Sequence, residues 1–85
     1  MPREVKGYSL DLGENLLMVP GGVGQGSLGH INGKPTLWVT SRTDRPSEEV
    51  KIALYHTGDR IDDRCEEYVG TVNCGQNVYH AFRME

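Results

Sequence analysis

The sequence predicts an all-β fold: a small, mostly antiparallel β-sandwich or open barrel of about six or seven short strands, with residues 1–85 forming a single β domain. Three observations predict it. Glycine is abundant, at 11 of 85 residues, and turns and bulged strands use glycine where helices favour alanine. No window sustains the 3.6-residue apolar period of an amphipathic helix. Short apolar or alternating runs recur between turn signals at roughly 8–12-residue spacing, as in small sandwiches and barrels.

Arg3 to Leu12 alternates, with Tyr8, Leu10 and Leu12 on one side and Lys6, Ser9 and Asp11 mixed on the other, and reads as a first strand. Gly13-Glu14-Asn15 is a turn signal. Leu16-Leu17-Met18-Val19 is a short apolar run stopped by Pro20-Gly21-Gly22, which favours a buried strand over a helix. Val23 to Ile31 is a glycine-softened strand. It pairs through Asn32-Gly33 with Thr36–Thr40, because Asn-Gly suits a turn in which both central residues take positive φ. Ser41 to Glu48 reads as a charged loop ended by Pro46. Glu49 to Tyr55 alternates most cleanly, with Val50, Ile52 and Leu54 on one face. Arg60 to Glu67 is a polar connection with room for one helical turn. Tyr68–Asn73 and Asn77–Met84 form a last hairpin through Cys74-Gly75-Gln76. The expected core is Leu10, Leu12, Leu17, Leu37, Val39, Ile52, Leu54, Val72, Val78 and Phe82.

A domain this small buries only about 60–65% of its unfolded surface, so a homo-oligomer is expected, which also covers sheet edges. The net charge of -3 argues against sequence-independent nucleic-acid binding, which needs clustered Lys and Arg to replace counterions. No charged-then-apolar leader and no apolar run of about 18 residues appear, so no membrane association is expected and the host cytoplasm is the expected location. Cys65 and Cys74 are too few for a disulfide framework and read as reduced thiols.

Chemistry-bearing patterns are sparse. Gly21-Gly22-Val23-Gly24-Gln25-Gly26-Ser27 is rich enough in glycine to bring bare amides to an anion, yet neither a helix nor Gly-Lys-Ser/Thr follows it, so P-loop and Rossmann readings fail. Its other reading is a flexible turn and a bulged strand. Arg42 and Arg45 share one loop and suit bidentate contacts to phosphate or to an acidic protein face; pairing with Asp44, Glu48 and Glu49 is the plainer alternative. His80 reads as a satisfied histidine on an apolar face and His56 as solvated. Trp38, Tyr55 and Tyr79 offer stacking platforms or core filling. Ser27, Cys65 and Cys74 lack a nucleophile signature.

Val19-Pro20, the run Asn32-Gly33-Lys34-Pro35-Thr36-Leu37-Trp38, then Tyr55-His56-Thr57-Gly58-Asp59-Arg60-Ile61, Glu67-Tyr68-Val69-Gly70-Thr71-Val72 and Val78-Tyr79-His80-Ala81-Phe82 together resemble a widespread family of small tailed-bacteriophage proteins, a domain of unknown function. The resemblance implies a phage gene and brings no catalytic residue with it. The chain departs from that pattern at Gly24, Gly26 and Gly29 and in the Arg42–Glu48 loop.

The expectation is a non-enzymatic phage accessory protein that inhibits a host defence system by binding, with no cofactor. One mechanism sequesters a nucleotide immune signal between subunits, using Gly24, Gly26, Ser27, Arg42 and Arg45. The alternatives are capping of a host defence protein through loops and a sheet edge, and a structural or morphogenetic phage protein.

Overall fold

A computed structural model describes residues 3–22 and 26–85. They form seven strands: β1 (Arg3–Ser9), β2 (Gly13–Pro20), β3 (Gly26–Ile31), β4 (Lys34–Arg42), β5 (Ser47–His56), β6 (Cys65–Cys74) and β7 (Asn77–Met84). These build two antiparallel sheets, one of three strands in the order β1-β4-β3 and one of four in the order β2-β5-β7-β6. Leu10, Leu17, Val19, Leu37, Val39, Val50, Ile52, Leu54 and Ala81 fill the space between them. The fold is therefore the all-β sandwich that the turn spacing predicts. Each large apolar side chain buried there contributes about 1.5–3 kcal/mol.

The two hairpins follow from their turn residues. Asn32 and Gly33 take φ of 49° and 80° between the paired residues Ile31 and Lys34, the type I′ geometry that Asn-Gly favours. Gly75 takes φ of 65° in the two-residue turn between Cys74 and Asn77, which suits a type II′ turn with glycine first.

Several expectations are corrected. Leu12 is 53% exposed rather than core. Leu10 ends the strand pairing, its N–H donating to Pro35 C=O at 2.9 Å, and the chain then turns toward the other sheet. Asn15 holds that turn by accepting from Asp11 N–H at 2.8 Å and donating to Asp11 C=O at 2.9 Å, which leaves Leu12 on the outside. The run Leu16–Val19 is not buried throughout: Leu17 and Val19 face the core, while Leu16 and Met18 point out. Val78 and Phe82 are only half-buried, because they lie on the outer face of their sheet. Ser41 and Arg42 belong to β4, and Ser47 and Glu48 to β5, so the predicted loop shrinks to residues 43–46.

Residues 57–64 form no helical turn; they make a strap. β5 and β6 both run antiparallel to β7, which lies between them, so they are parallel to each other and their connection must cross the sheet. It crosses the outer face. Thr57 Oγ1 meets His80 Nε2 at 2.7 Å. Asp62 N–H donates to Tyr55 Oη at 3.2 Å. Arg64 reaches Glu14 on β2 and also bonds Asp62, Nη2 to Oδ2, at 3.0 Å. At the other side of the sandwich the edges of β3 and β6 approach each other, and a Cβ on Gly70 would stand 3.4 Å from Leu28 Cβ.

Candidate functional site

The register of the three-stranded sheet determines what its outer face presents. Arg3 pairs with Arg42, Val5 with Thr40, Gly7 with Trp38 and Ser9 with Thr36. On the other side of β4, Ser27 pairs with Trp38 and Gly29 with Thr36. Directly paired residues share a face, and alternate residues repeat it. Leu37 and Val39 point inward, so Trp38, Thr40, Arg42, Arg3, Val5, Gly7, Ser27 and Gly29 share the outward side.

Trp38 lies flat on this face because its neighbours have no side chains. A Cβ on Gly7 would stand 2.7 Å from Trp38 Cζ3, and one on Gly29 would stand 2.9 Å from Trp38 Nε1. Both glycines thus make room for one indole, and Thr36, one pair along, is 1% exposed. Beside the ring is an open concavity of about 650 Å³ lined by Val5, Gly26, Ser27, Trp38, Val39, Thr40 and Glu67. Val5 is 70% exposed, the most exposed large apolar side chain among the described residues. Glu67 stands at the β6 side of this hollow. Arg42 lies four residues from Trp38 on β4, about 13 Å along the strand, with Arg3 directly opposite. Arg42 Nε also stands 3.7 Å from Asp44 Oδ1. The face thus carries an apolar middle of Val5 and Trp38, with Glu67 beside the hollow from β6 and the paired Arg3 and Arg42 at one end.

The residues singled out from sequence are distributed around this face. Gly26 and Ser27 line the hollow. Arg42 closes the opposite end. Arg45 lies in the loop after β4, and Gly21 packs against it: a Cβ on Gly21 would stand 3.2 Å from Arg42 Cβ and 3.3 Å from Arg45 Cβ. Gly21 N–H also donates to Pro46 C=O at 3.0 Å. The start of the glycine-rich segment and the arginine loop are thus joined. Gly24 lies outside the described residues. Sequence reasoning missed Arg3 and Gly7. Their signal was the alternation Arg3-Val5-Gly7, which places all three on one face once β1 is a strand.

The outer face of the four-stranded sheet is organised differently. His80 is tied at both ring nitrogens, Nε2 to Thr57 Oγ1 at 2.7 Å and Nδ1 to Thr71 Oγ1 at 3.0 Å and Tyr68 Oη at 3.3 Å. A hydroxyl against an imidazole is also the first contact of a nucleophile–base pair. Here the far nitrogen meets two hydroxyls rather than the carboxylate that orients such a base, and the arrangement clasps the strap to β6. Phe82 packs edge-on against Tyr55 at 6.0 Å and Tyr68 at 5.1 Å between ring centroids. A smaller hollow of about 220 Å³ lies beneath the strap, bounded by Tyr55, Ile61, His80 and Phe82 among others. Asp62 is held well below the usual carboxylate range, at about 2, by the hydrogen bond from the Arg64 side chain. The Tyr55 hydroxyl accepts the Asp62 backbone N–H; burial and the Cys65 thiol, 3.8 Å away, raise its pKa on balance. His56, expected in solvent, is half-buried and stacks on Tyr79 at 4.9 Å between ring centroids. Cys65 and Cys74 are free thiols at opposite ends of β6.

No curated protein sequence and no solved structure matches the chain. One family model covers its whole length, residues 1–85. The chain belongs to that family, Domain of unknown function (DUF7352).

Proposed function

We propose that this protein is a non-enzymatic binding module that sequesters a phosphorylated nucleotide on the outer face of its three-stranded sheet. The observation that carries the reading is the juxtaposition of Trp38, lying flat between Gly7 and Gly29, with the paired Arg3 and Arg42 on the same face. The half-buried Trp38 indole gives a base a stacking platform worth about 1–3 kcal/mol. Guanidinium groups take phosphate oxygens in bidentate fashion. Glu67 in the hollow accepts from an exocyclic amino group of the base and repels phosphate, so it orients the ligand with its phosphates toward Arg42. Ser27 supplies a further hydroxyl, and Arg45 extends the basic end. The phage origin implied by the sequence resemblance gives such binding a purpose: removal of a host defence signal in the host cytoplasm. Capping of a host defence protein is the second reading. It is favoured by the outward Leu16 and Met18 on β2, an edge strand.

Trp38 is the single tryptophan in the chain, so its fluorescence reports directly on stacking. Titration with ATP, GTP and cyclic di-GMP is expected to quench it without turnover. Calorimetry on Trp38→Ala and Arg42→Ala should show binding weakened by about ten- to a hundredfold. Unchanged fluorescence with all three nucleotides, or normal binding by both variants, overturns the reading.

A further inference from the structure

We propose that two copies of this chain pair through their β1 edges and so complete the site: Arg3 and Arg42 of one copy face Trp38 of the other. The nucleotide part of this inference rests on the reading above; the interface does not.

Among the described residues β1 pairs only with β4, so its other edge is open to a partner. The hydrogen bond from Leu10 N–H to Pro35 C=O, one step beyond the Ser9–Thr36 pair, sets the phase of the ladder. Even-numbered residues exchange hydrogen bonds with β4, and the N–H and C=O groups of Arg3, Val5 and Gly7 point to the open edge. The edge is regular, with no register shift along β1. By contrast, β6, at the edge of the other sheet, carries shifts between Cys65 and Glu67 and between Tyr68 and Gly70, a device that discourages edge pairing.

Charge selects the partner and the register. An antiparallel two-fold pairing centred on Val5 sets Glu4 opposite the second copy's Lys6, and Lys6 opposite its Glu4. It also sets Val5, 70% exposed, against its own copy. Centring on Glu4 or Lys6 would bring like charges face to face, and centring on Gly7 would leave Glu4 opposite Leu10. The other edges of unshifted register are β2, with Glu14 as its single charged residue, and β3, with no Asp, Glu, Lys or Arg, so self-pairing at either joins no opposite charges. The strand Arg3-Glu4-Val5-Lys6-Gly7 is complementary to itself, as an isologous interface requires.

That register has a consequence for the site. Arg3 falls opposite Gly7 of the second copy, and Gly7 is the register partner of Trp38. One row across the joined sheet therefore reads Arg42, Arg3, then the second copy's Gly7, Trp38 and Ser27. Two strand spacings, about 10 Å, separate Arg3 from the partner indole, against about 13 Å along the strand within one chain. The intervening residue is a glycine, so no side chain stands between the cation and the ring. Two such rows form, related by the two-fold axis.

The test begins with mass in solution. Light scattering or native mass spectrometry should give a dimer of the 9.5 kDa chain. Glu4→Lys and Lys6→Glu should each give monomers, and mixing the two variants should give a heterodimer, because their charges are then opposite again. Leu16→Glu should leave the dimer intact. A monomeric wild type, or a dimer broken by Leu16→Glu but not by either charge variant, overturns the interface. The composite site is read by complementation with cyclic di-GMP. Arg3→Ala and Trp38→Ala should each bind at least about tenfold more weakly. Their mixed dimer should recover tight binding at one site, which holds its single tryptophan. Monomeric charge variants that bind as tightly as wild type overturn the shared site. A dimer that binds no nucleotide overturns the sequestration reading and leaves the interface standing.

Discussion

The two outer faces of this sandwich differ in what covers them. On the four-stranded sheet the chain returns over its own surface: the strap of residues 57–64 bonds to Tyr55, His80 and Glu14, and Ala53 beneath it is fully buried. On the three-stranded sheet no described segment returns. Trp38 is laid out between two glycines, and Val5 stands in solvent. Polar groups on the first face are spent on one another. On the second, the paired Arg3 and Arg42 stand at one end and Glu67 borders the hollow from β6. A face closed by its own chain serves stability, whereas a half-buried ring laid flat between glycines is what the proposed binding requires.

The comparison breaks most readily at Gly7. Gly7→Val puts a side chain where the indole ring lies, so Trp38 must leave the surface. Strain of this kind is worth about 1–3 kcal/mol, and denaturant unfolding should show the loss together with a shifted tryptophan emission. Emission and stability equal to wild type would show that the ring is not seated between the glycines. On the covered face, His80→Ala leaves the hydroxyls of Thr57 and Thr71 without their ring partner. A loss of about 1–2 kcal/mol is expected, with faster amide exchange in residues 57–64 and an unchanged environment for Trp38. Slow exchange in the strap would show that His80 does not clasp it.

The smallest effect is set by pH. Asp62 titrates at about 2 in the folded chain, against 3.8 for the free group, because Arg64 bonds its carboxylate. A depressed carboxyl pKa adds stability above the unfolded value and loses it as pH falls toward the folded one. The strap should therefore loosen between about pH 4 and pH 2, and Arg64→Ala should loosen it already at neutral pH and flatten that pH dependence. The effect is modest, since both groups meet solvent. Amide exchange across this range checks it, and a strap equally protected at both ends of the range would refute the role of the pair.

Strand order along the chain was legible wherever turn residues spoke clearly. Asn32-Gly33 announced the β3–β4 hairpin, and the alternation of Val50, Ile52 and Leu54 announced β5. Local patterns could not assign strands to sheets, because nothing within Arg3–Ser9 names β4 as its neighbour. Leu12 and Phe82 looked like core residues for the same reason: hydrophobicity marks a face, and only the tertiary arrangement decides whether that face meets the other sheet, a strap or water. The site was half legible. Ser27 and Arg42 were singled out by type, but Arg3, Gly7 and the flat setting of Trp38 depend on cross-strand register.

The position of β7 has a consequence for synthesis. It is the last of the seven strands to leave the ribosome, yet it lies inside the four-stranded sheet, between β5 and β6. Until it is made, β5 has no neighbour on that side, and β6 hangs from the strap without a partner. The sheet cannot grow outward one strand at a time; it waits for a final insertion. During that interval the unpaired edge of β5 is available to other nascent chains, so crowded translation of the same message is the condition under which this small protein is most open to misassembly.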